Sequence, residues 1–165
     1  MSIDKVMDSN ILGILNLVRD FYATIGAAIV LFGMTHYSLL HFMRKLDHSV
    51  DQEQLLSETA GSIIEKVKKI YKDCSITWTG NEWQNLVNDR NKITHGFTLK
   101  QNDSRVHFMY KINYMSSSGE RVKEEGELDR IFFDNFIDRC NVFCGTVVIQ
   151  DKEFRQKNNL EEIKT

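Results

Sequence analysis

From Phe21 to Met43 the chain carries no Asp, Glu, Lys or Arg, and its middle reads Ile25-Gly-Ala-Ala-Ile-Val-Leu-Phe-Gly-Met34. A stretch this apolar is stable in a bilayer or against a protein core, so it constrains everything that folds around it. It is long enough to cross a membrane, which takes about 20 residues. Thr24, Thr35, His36, Tyr37, Ser38 and His41 interrupt it, however, and leave about ten strongly apolar residues together, the length of a core helix. The reading is a buried helix in a protein with no membrane contact, and a membrane-anchored helical protein is the alternative. Ile11, Leu12, Leu15, Val18, Tyr22, Ile25, Ile29, Phe32, His36, Leu39, Leu40 and Met43 recur at steps of three and four, so residues 1–46 read as helix, with room for a break near residues 20–24. His36, on the inward side of that pattern, reads as a core histidine.

The 165 residues are one domain's worth, at roughly 100–200 per domain, and 42% apolar composition supplies a core without metal or disulfide staples. With 21 Lys+Arg against 23 Asp+Glu, binding of nucleic acid through bulk charge is excluded, so any RNA contact must be local. Proline is absent, which permits long unkinked helices. Cys74, Cys140 and Cys144 form no CxxC unit and cannot all pair, and the acidic N-terminus lacks an export signal, so the expected compartment is the cytoplasm. Cys140 and Cys144 stand one helical turn apart among Ile137, Val142, Phe143 and Val147, and read as a buried apolar pair rather than half of a zinc site.

Beyond Leu46-Asp-His-Ser49, a turn, Ser49 and Gln52 have the spacing of a capping box, and a second helix is expected to about Tyr71 with Leu55, Leu56, Thr59, Ile63, Val67 and Ile70 inward. Its other side, Glu65, Lys66, Lys68, Lys69 and Lys72, reads as solvated surface. Thr79 and Glu82 repeat the capping-box spacing before a helix that carries Trp83, Leu86, Val87 and Arg90 on one side and ends near His95, with Gly96 as its C′ residue. The period then changes to two through Val106, Phe108, Tyr110, Ile112 and Tyr114, and Ser116-Ser-Ser-Gly119 is a turn, so a β-hairpin is expected at about residues 105–124. A helical period returns from about Asp129 through Ile131, Phe132, Phe136, Ile137, Cys140, Phe143 and Val147. The organisation expected is one domain over residues 1–150 and a charged, frayed tail over residues 151–165.

Most catalytic templates are missing: there is no P-loop, dinucleotide glycine fingerprint, GxSxG elbow or HExxH, and His36, His41, His48, His95 and His107 are scattered. No cofactor and no metal is expected. The informative stretch is Asn88-Asp-Arg-Asn-Lys-Ile-Thr-His-Gly-Phe97, which sets Arg90, Asn91 and His95 at the end of a helix. Arg90-Asn91-x-x-x-His95 resembles the R-x4-6-H motif of the HEPN superfamily. The long first helix with its glycine-containing apolar middle, the amphipathic second helix, the motif helix and the closing apolar helix resemble that family's layout over about residues 10–150.

The resemblance implies an all-α, HEPN-like up-and-down bundle of four to five helices, here with a small inserted hairpin, and metal-independent RNA cleavage. Arg90 would stabilise the phosphate, His95 would transfer a proton, and Asn91, one turn before His95, would orient its ring. Arg90 lies about 140° around an ideal helix from His95, so its long side chain or an unwound last turn must close the gap. The resemblance further implies a homodimer with its two-fold axis beside the motif helix, an RNA substrate, a role as a toxin or antiviral defence effector, and an antitoxin or regulatory protein. Against this, Arg90 could pair with Asp89 or Asp138 and His95 could cap free carbonyls, leaving a non-catalytic dimer that binds RNA or a protein. Trp83 reads as core. Trp78 is left open between core and base stacking.

Overall fold

A computed structural model describes residues 3–78, 80–95, 97–102, 105–115 and 120–158. The absence of proline has its expected effect on α1, Ile3–Leu46, which runs its whole length as one α-helix. The break near residues 20–24 does not occur; there the Thr24 hydroxyl donates to the Asp20 carbonyl at 2.9 Å, within the helical turn. The remaining elements are α2 (Gln52–Ser57), α3 (Ile64–Asp73), α4 (Gly80–His95), β1 (Phe97–Asn102), β2 (Arg105–Met115), β3 (Arg121–Glu127) and α5 (Arg130–Lys157). The protein is thus mostly helical, with a small antiparallel sheet. By internal contacts it divides into two units, Met1–Val30 with Arg90–Asn135, and Leu31–Asp89 with Phe136–Thr165, and α1, α4 and α5 each contribute to both.

In the second unit the core is aromatic. Trp83 is fully buried, its ring lies 5.3 Å from Phe32 and 5.4 Å from Phe143, and its indole N–H donates to the Ala60 carbonyl at 3.1 Å. Phe42, Leu39, Leu40, Met43, Ile63, Val67, Tyr71, Leu86, Phe136 and Cys140 close around it. Phe32 meets Phe136, the Thr35 hydroxyl donates to the Cys140 carbonyl at 3.5 Å, Cys144 Sγ donates to Ser38 Oγ at 3.7 Å, and Lys45 pairs with Asp151 at 2.6 Å. Residue numbers rise together along this seam, so α1 and α5 run parallel. Phe42 against Tyr71, and Cys74 Sγ on the Leu46 carbonyl, give α3 the same direction. Arg139 on Asp89 and Phe143 on Trp83 make α4 antiparallel to α5. α1, α3 and α5 therefore point one way and α4 the other, as an up-and-down bundle requires of them.

The single second helix is likewise two. Glu58 is extended (ψ 159°), the Thr59 hydroxyl accepts from the Ser62 amide at 3.2 Å, and the turn presents the Ala60 carbonyl to Trp83. Asp51, rather than Ser49, is the N-cap of α2 and accepts from the Gln54 amide at 3.1 Å; Ser49 bonds Asp47 instead. Asp is as good a cap as Ser and stands two residues nearer the helix start. Thr79 and Gly96, to which the other capping roles were assigned, lie outside the described residues. Cys140 is buried as expected, which pushes its thiol up to about 11, whereas Cys144 is only half-buried and bonds Ser38. Trp78 is half-buried against Tyr71 and Phe143.

In the first unit the hairpin is a three-stranded antiparallel meander, β1-β2-β3. Phe97 pairs with Tyr110 and Asn102 with Arg105 on one side of β2, and Met109 pairs with Glu127 and Met115 with Arg121 on the other. The sheet joins the helices through Phe108, whose ring stacks on Phe21, and through Leu128, whose amide donates to the Phe108 carbonyl at 2.6 Å. Asp129 caps α5 by accepting from the Phe132 amide at 2.7 Å. At its other end α5 continues to Lys157, where the tail was expected to fray from residue 151, because Asp151 pairs with both Lys45 and Arg155.

Trp83 ties α1, α4, α5 and the turn between α2 and α3 together. Trp83→Ala is expected to lower unfolding free energy by about 3–5 kcal/mol in urea denaturation followed by circular dichroism. Exposed Leu56→Ala is expected to stay within about 0.5 kcal/mol of the parent. Equal losses in the two variants would refute the central place given to Trp83.

Candidate functional site

The candidate residues sit on the last turns of α4. Trp83, Leu86, Val87 and Ile93 are buried along one side of this helix, and Asn81, Gln84, Asn85, Asn88, Thr94 and His95 are exposed. Arg90 falls on the buried side and is itself half-buried, whereas His95, the last helical residue, faces solvent. The helix stays α-helical through His95, with the Thr94 hydroxyl donating to the Arg90 carbonyl at 3.0 Å. The last turn therefore does not unwind to bring Arg90 and His95 together.

Arg90 and Asn91 are brought together. Arg90 Nη1 donates to Asn91 Oδ1 at 2.9 Å, so the amide expected to orient His95 turns its carbonyl to the guanidinium instead. The cause is reach: the Arg90 side chain is long enough to fold back along the helix, and a charged donor makes the stronger hydrogen bond. Asp89, one of the alternative partners for Arg90, accepts from Arg139 Nη1 at 2.7 Å, and Arg139 Nε also pairs with Glu82 at 2.6 Å. Glu82 and Asp89 lie two turns apart on α4, so one guanidinium on α5 serves both.

Beside Arg90 the structure assembles a second cluster that the sequence reading missed. Lys92 Nζ pairs with Glu124 Oε1 at 2.8 Å, the Tyr110 hydroxyl donates to the same oxygen at 2.9 Å, and the lysine nitrogen stands 5.2 Å from the centre of the Tyr110 ring. Hydrogen bonds from Lys92, and to a smaller degree Tyr110, hold the Glu124 carboxyl below the usual range in spite of partial burial. Register makes this possible. Tyr110 faces Gly126 across the β2–β3 pair, and a Cβ there would come within 2.8 Å of Tyr110 Cε1, so the missing side chain lets the ring lie across β3 and reach Glu124. A tyrosine opposite a glycine, two residues after a glutamate, is the signal that could have been read.

Chemically the end of α4 offers a guanidinium held by an amide, a half-buried ammonium held by a carboxylate, and an imidazole in solvent. Clefts among the described residues lie elsewhere. One of about 530 Å³ is lined by Tyr37, Arg44, His48, Asp51, Gln52 and Leu56, and one of about 240 Å³ by Cys74, Thr77, Gln150, Phe154 and Lys157; neither includes Arg90, Asn91 or His95. Comparison with protein-family models, curated proteins and solved structures finds no match to the chain.

Because the Glu124 carboxyl is held low in the folded chain, its pairing with Lys92 contributes stability that is full above the ordinary carboxylate range, about pH 4.3, and is lost as pH falls through the lowered value. Glu124→Gln is expected to melt below the parent at pH 7 and to converge with it in acid. A gap in melting temperature that persists unchanged into acid would refute the assignment.

Proposed function

We propose that the protein is a metal-independent endoribonuclease of HEPN type, acting as a homodimer in the cytoplasm and serving as a toxin or defence effector held in check by an antitoxin or regulatory protein. The observation that carries this reading is the pairing of Arg90 with Asn91 at 2.9 Å on the final turns of a helix that ends in an exposed His95. In the reaction the ribose 2′-oxygen attacks the adjacent phosphorus, a base removes the hydroxyl proton, and the bond to the 5′-oxygen breaks as that oxygen is protonated. The products are a 2′,3′-cyclic phosphate and a free 5′-hydroxyl. Arg90, its planar fork positioned by Asn91, neutralises charge on the pentacoordinate phosphorus, and His95 carries a proton.

The separation of Arg90 and His95 onto different sides of α4 favours a second reading, a non-catalytic HEPN-like dimer that binds RNA or a protein through the same helix end. The two readings part in one experiment. The ribonuclease is expected to cleave structured RNA in EDTA, leaving 2′,3′-cyclic or 3′-phosphate ends, with His95→Ala slower by about 10²–10⁴-fold. Since His95 is exposed, its variant is expected to melt with the parent. Arg90→Lys keeps the charge but loses the fork to Asn91, and should also lose most activity. RNA bound without cleavage would leave the binding protein. Cleavage abolished by EDTA and restored by a divalent ion would falsify the metal-independent mechanism.

A further inference from the structure

In-line cleavage of RNA needs a proton acceptor at the 2′-oxygen as well as a proton donor at the 5′-oxygen, and the single imidazole of the motif supplies one of the two. The order of side chains around the last turns of α4 shows where the other stands. At about 100° per residue, Asn91 lies about 40° to one side of His95 and Lys92 about 60° to the other, so the three share one side of the helix. Asn91 Oδ1 holds the Arg90 guanidinium at 2.9 Å on the first flank, and Lys92 Nζ holds Glu124 at 2.8 Å on the second. All of these residues belong to the first unit.

Strand register brings Glu124 to the same end of the helix. Phe97, two residues beyond His95, pairs with Tyr110, and Tyr110 with Gly126. The next row towards α4 pairs Ile112 with Glu124, so Glu124 stands at the end of the sheet that meets the helix terminus, two strand spacings or roughly 10 Å across from the line of β1. Its carboxylate is held for use. Lys92 and Tyr110 both donate to Oε1, whereas Oε2 has no bond among the described residues and the side chain is 35% exposed. Two donors on one oxygen fix the group in place and favour its ionised form, which can only accept. The neighbouring Glu125 points to the other face of the sheet, where it pairs with Lys111 at 3.6 Å.

We propose that Glu124 is the general base of the cleavage and His95 its general acid, so that each chain carries both. Glu124 Oε2 takes the proton of the ribose 2′-hydroxyl as the 2′-oxygen forms its bond to phosphorus. His95 gives a proton to the 5′-oxygen as the bond from phosphorus to that oxygen breaks. The Arg90 guanidinium, on the flank of His95 away from Glu124, faces the charge that gathers on the phosphate. The assignment rests on the ribonuclease reading and adds to it the base and the completeness of the site within one copy.

Kinetics on two substrates test it, structured RNA and uridine 3′-(4-nitrophenyl phosphate), whose leaving group departs without a proton. On RNA, Glu124→Gln and His95→Ala are each expected to lose about 10²–10⁴-fold in kcat. On the aryl ester, His95→Ala is expected to return to within about tenfold of the parent, while Glu124→Gln stays as impaired as on RNA. Glu124→Asp keeps a carboxylate and should exceed Glu124→Gln by about tenfold or more, and Glu125→Gln should match the parent. Assays run below the melting range of every variant keep the stability loss of Glu124→Gln out of the rates. A parent that cleaves neither substrate would end the ribonuclease reading and this assignment with it. An active parent whose Glu124→Gln variant keeps its rate, or recovers on the aryl ester, would overturn the role of Glu124 alone. Activity restored by mixing His95→Ala chains with Glu124→Gln chains would place acid and base in different copies and overturn the single-chain site.

Discussion

The burial of Trp83, with its one polar atom answered by the Ala60 carbonyl, is the contact on which the arrangement of the second unit depends. An indole can be fully enclosed only where its N–H finds an acceptor. The turn between α2 and α3 supplies that acceptor because Glu58 leaves the helix and frees the Ala60 carbonyl. Phe32 and Phe143 both pack on the ring, which brings α1 and α5 to α4 at the same level. The interruption in an otherwise helical stretch is thus a binding partner for the tryptophan rather than a defect in the helix.

Helices with strong periodic patterns were legible in the sequence; breaks set by tertiary hydrogen bonds were not. Leu55, Ile63 and Val67 keep helical spacing across a turn, so nothing local announces that Ser57 ends one helix and Ile64 begins another. In α1 the pattern found the helix but misjudged its sides. With no charged residue between Phe21 and Met43, apolar residues occur on every side, and only packing selects Phe32 and Leu39 over Tyr22 and Ile29. β1 escaped notice because Phe97-Thr-Leu-Lys-Gln-Asn102 is short and its identity as a strand comes from pairing with β2. β2, with its alternation of large and polar residues, was read correctly.

At the candidate site the sequence located the residues but not their partners. Local spacing placed Arg90, Asn91 and His95 at a helix end, and the structure agrees. It could not foresee that Asn91 would take the guanidinium, since Asn91 sits equally well placed for His95 one turn away. Nor could it join Lys92 to Glu124, residues from a helix and a strand that meet only because the sheet folds back. Arg90 with Asn91, and Lys92 with Glu124 and Tyr110, are thus two separate sets of defined contacts, and His95 lies exposed at the helix end.

The parallel seam between α1 and α5 has a consequence for synthesis. Its hydrogen-bonded pairs, Thr35 with Cys140, Ser38 with Cys144 and Lys45 with Asp151, are 105 or 106 residues apart. Contacts this distant close late in folding, after the intervening chain has been ordered. On the ribosome α1 emerges before α5, and its inward side stays bare until the 105 residues that separate Thr35 from Cys140 have been made. During that interval the helix is apolar on both sides, one awaiting α5 and the other permanently uncharged. A nascent chain in that state is a natural client for a chaperone that shields apolar helices, and translation stalled before α5 would leave a species prone to aggregate.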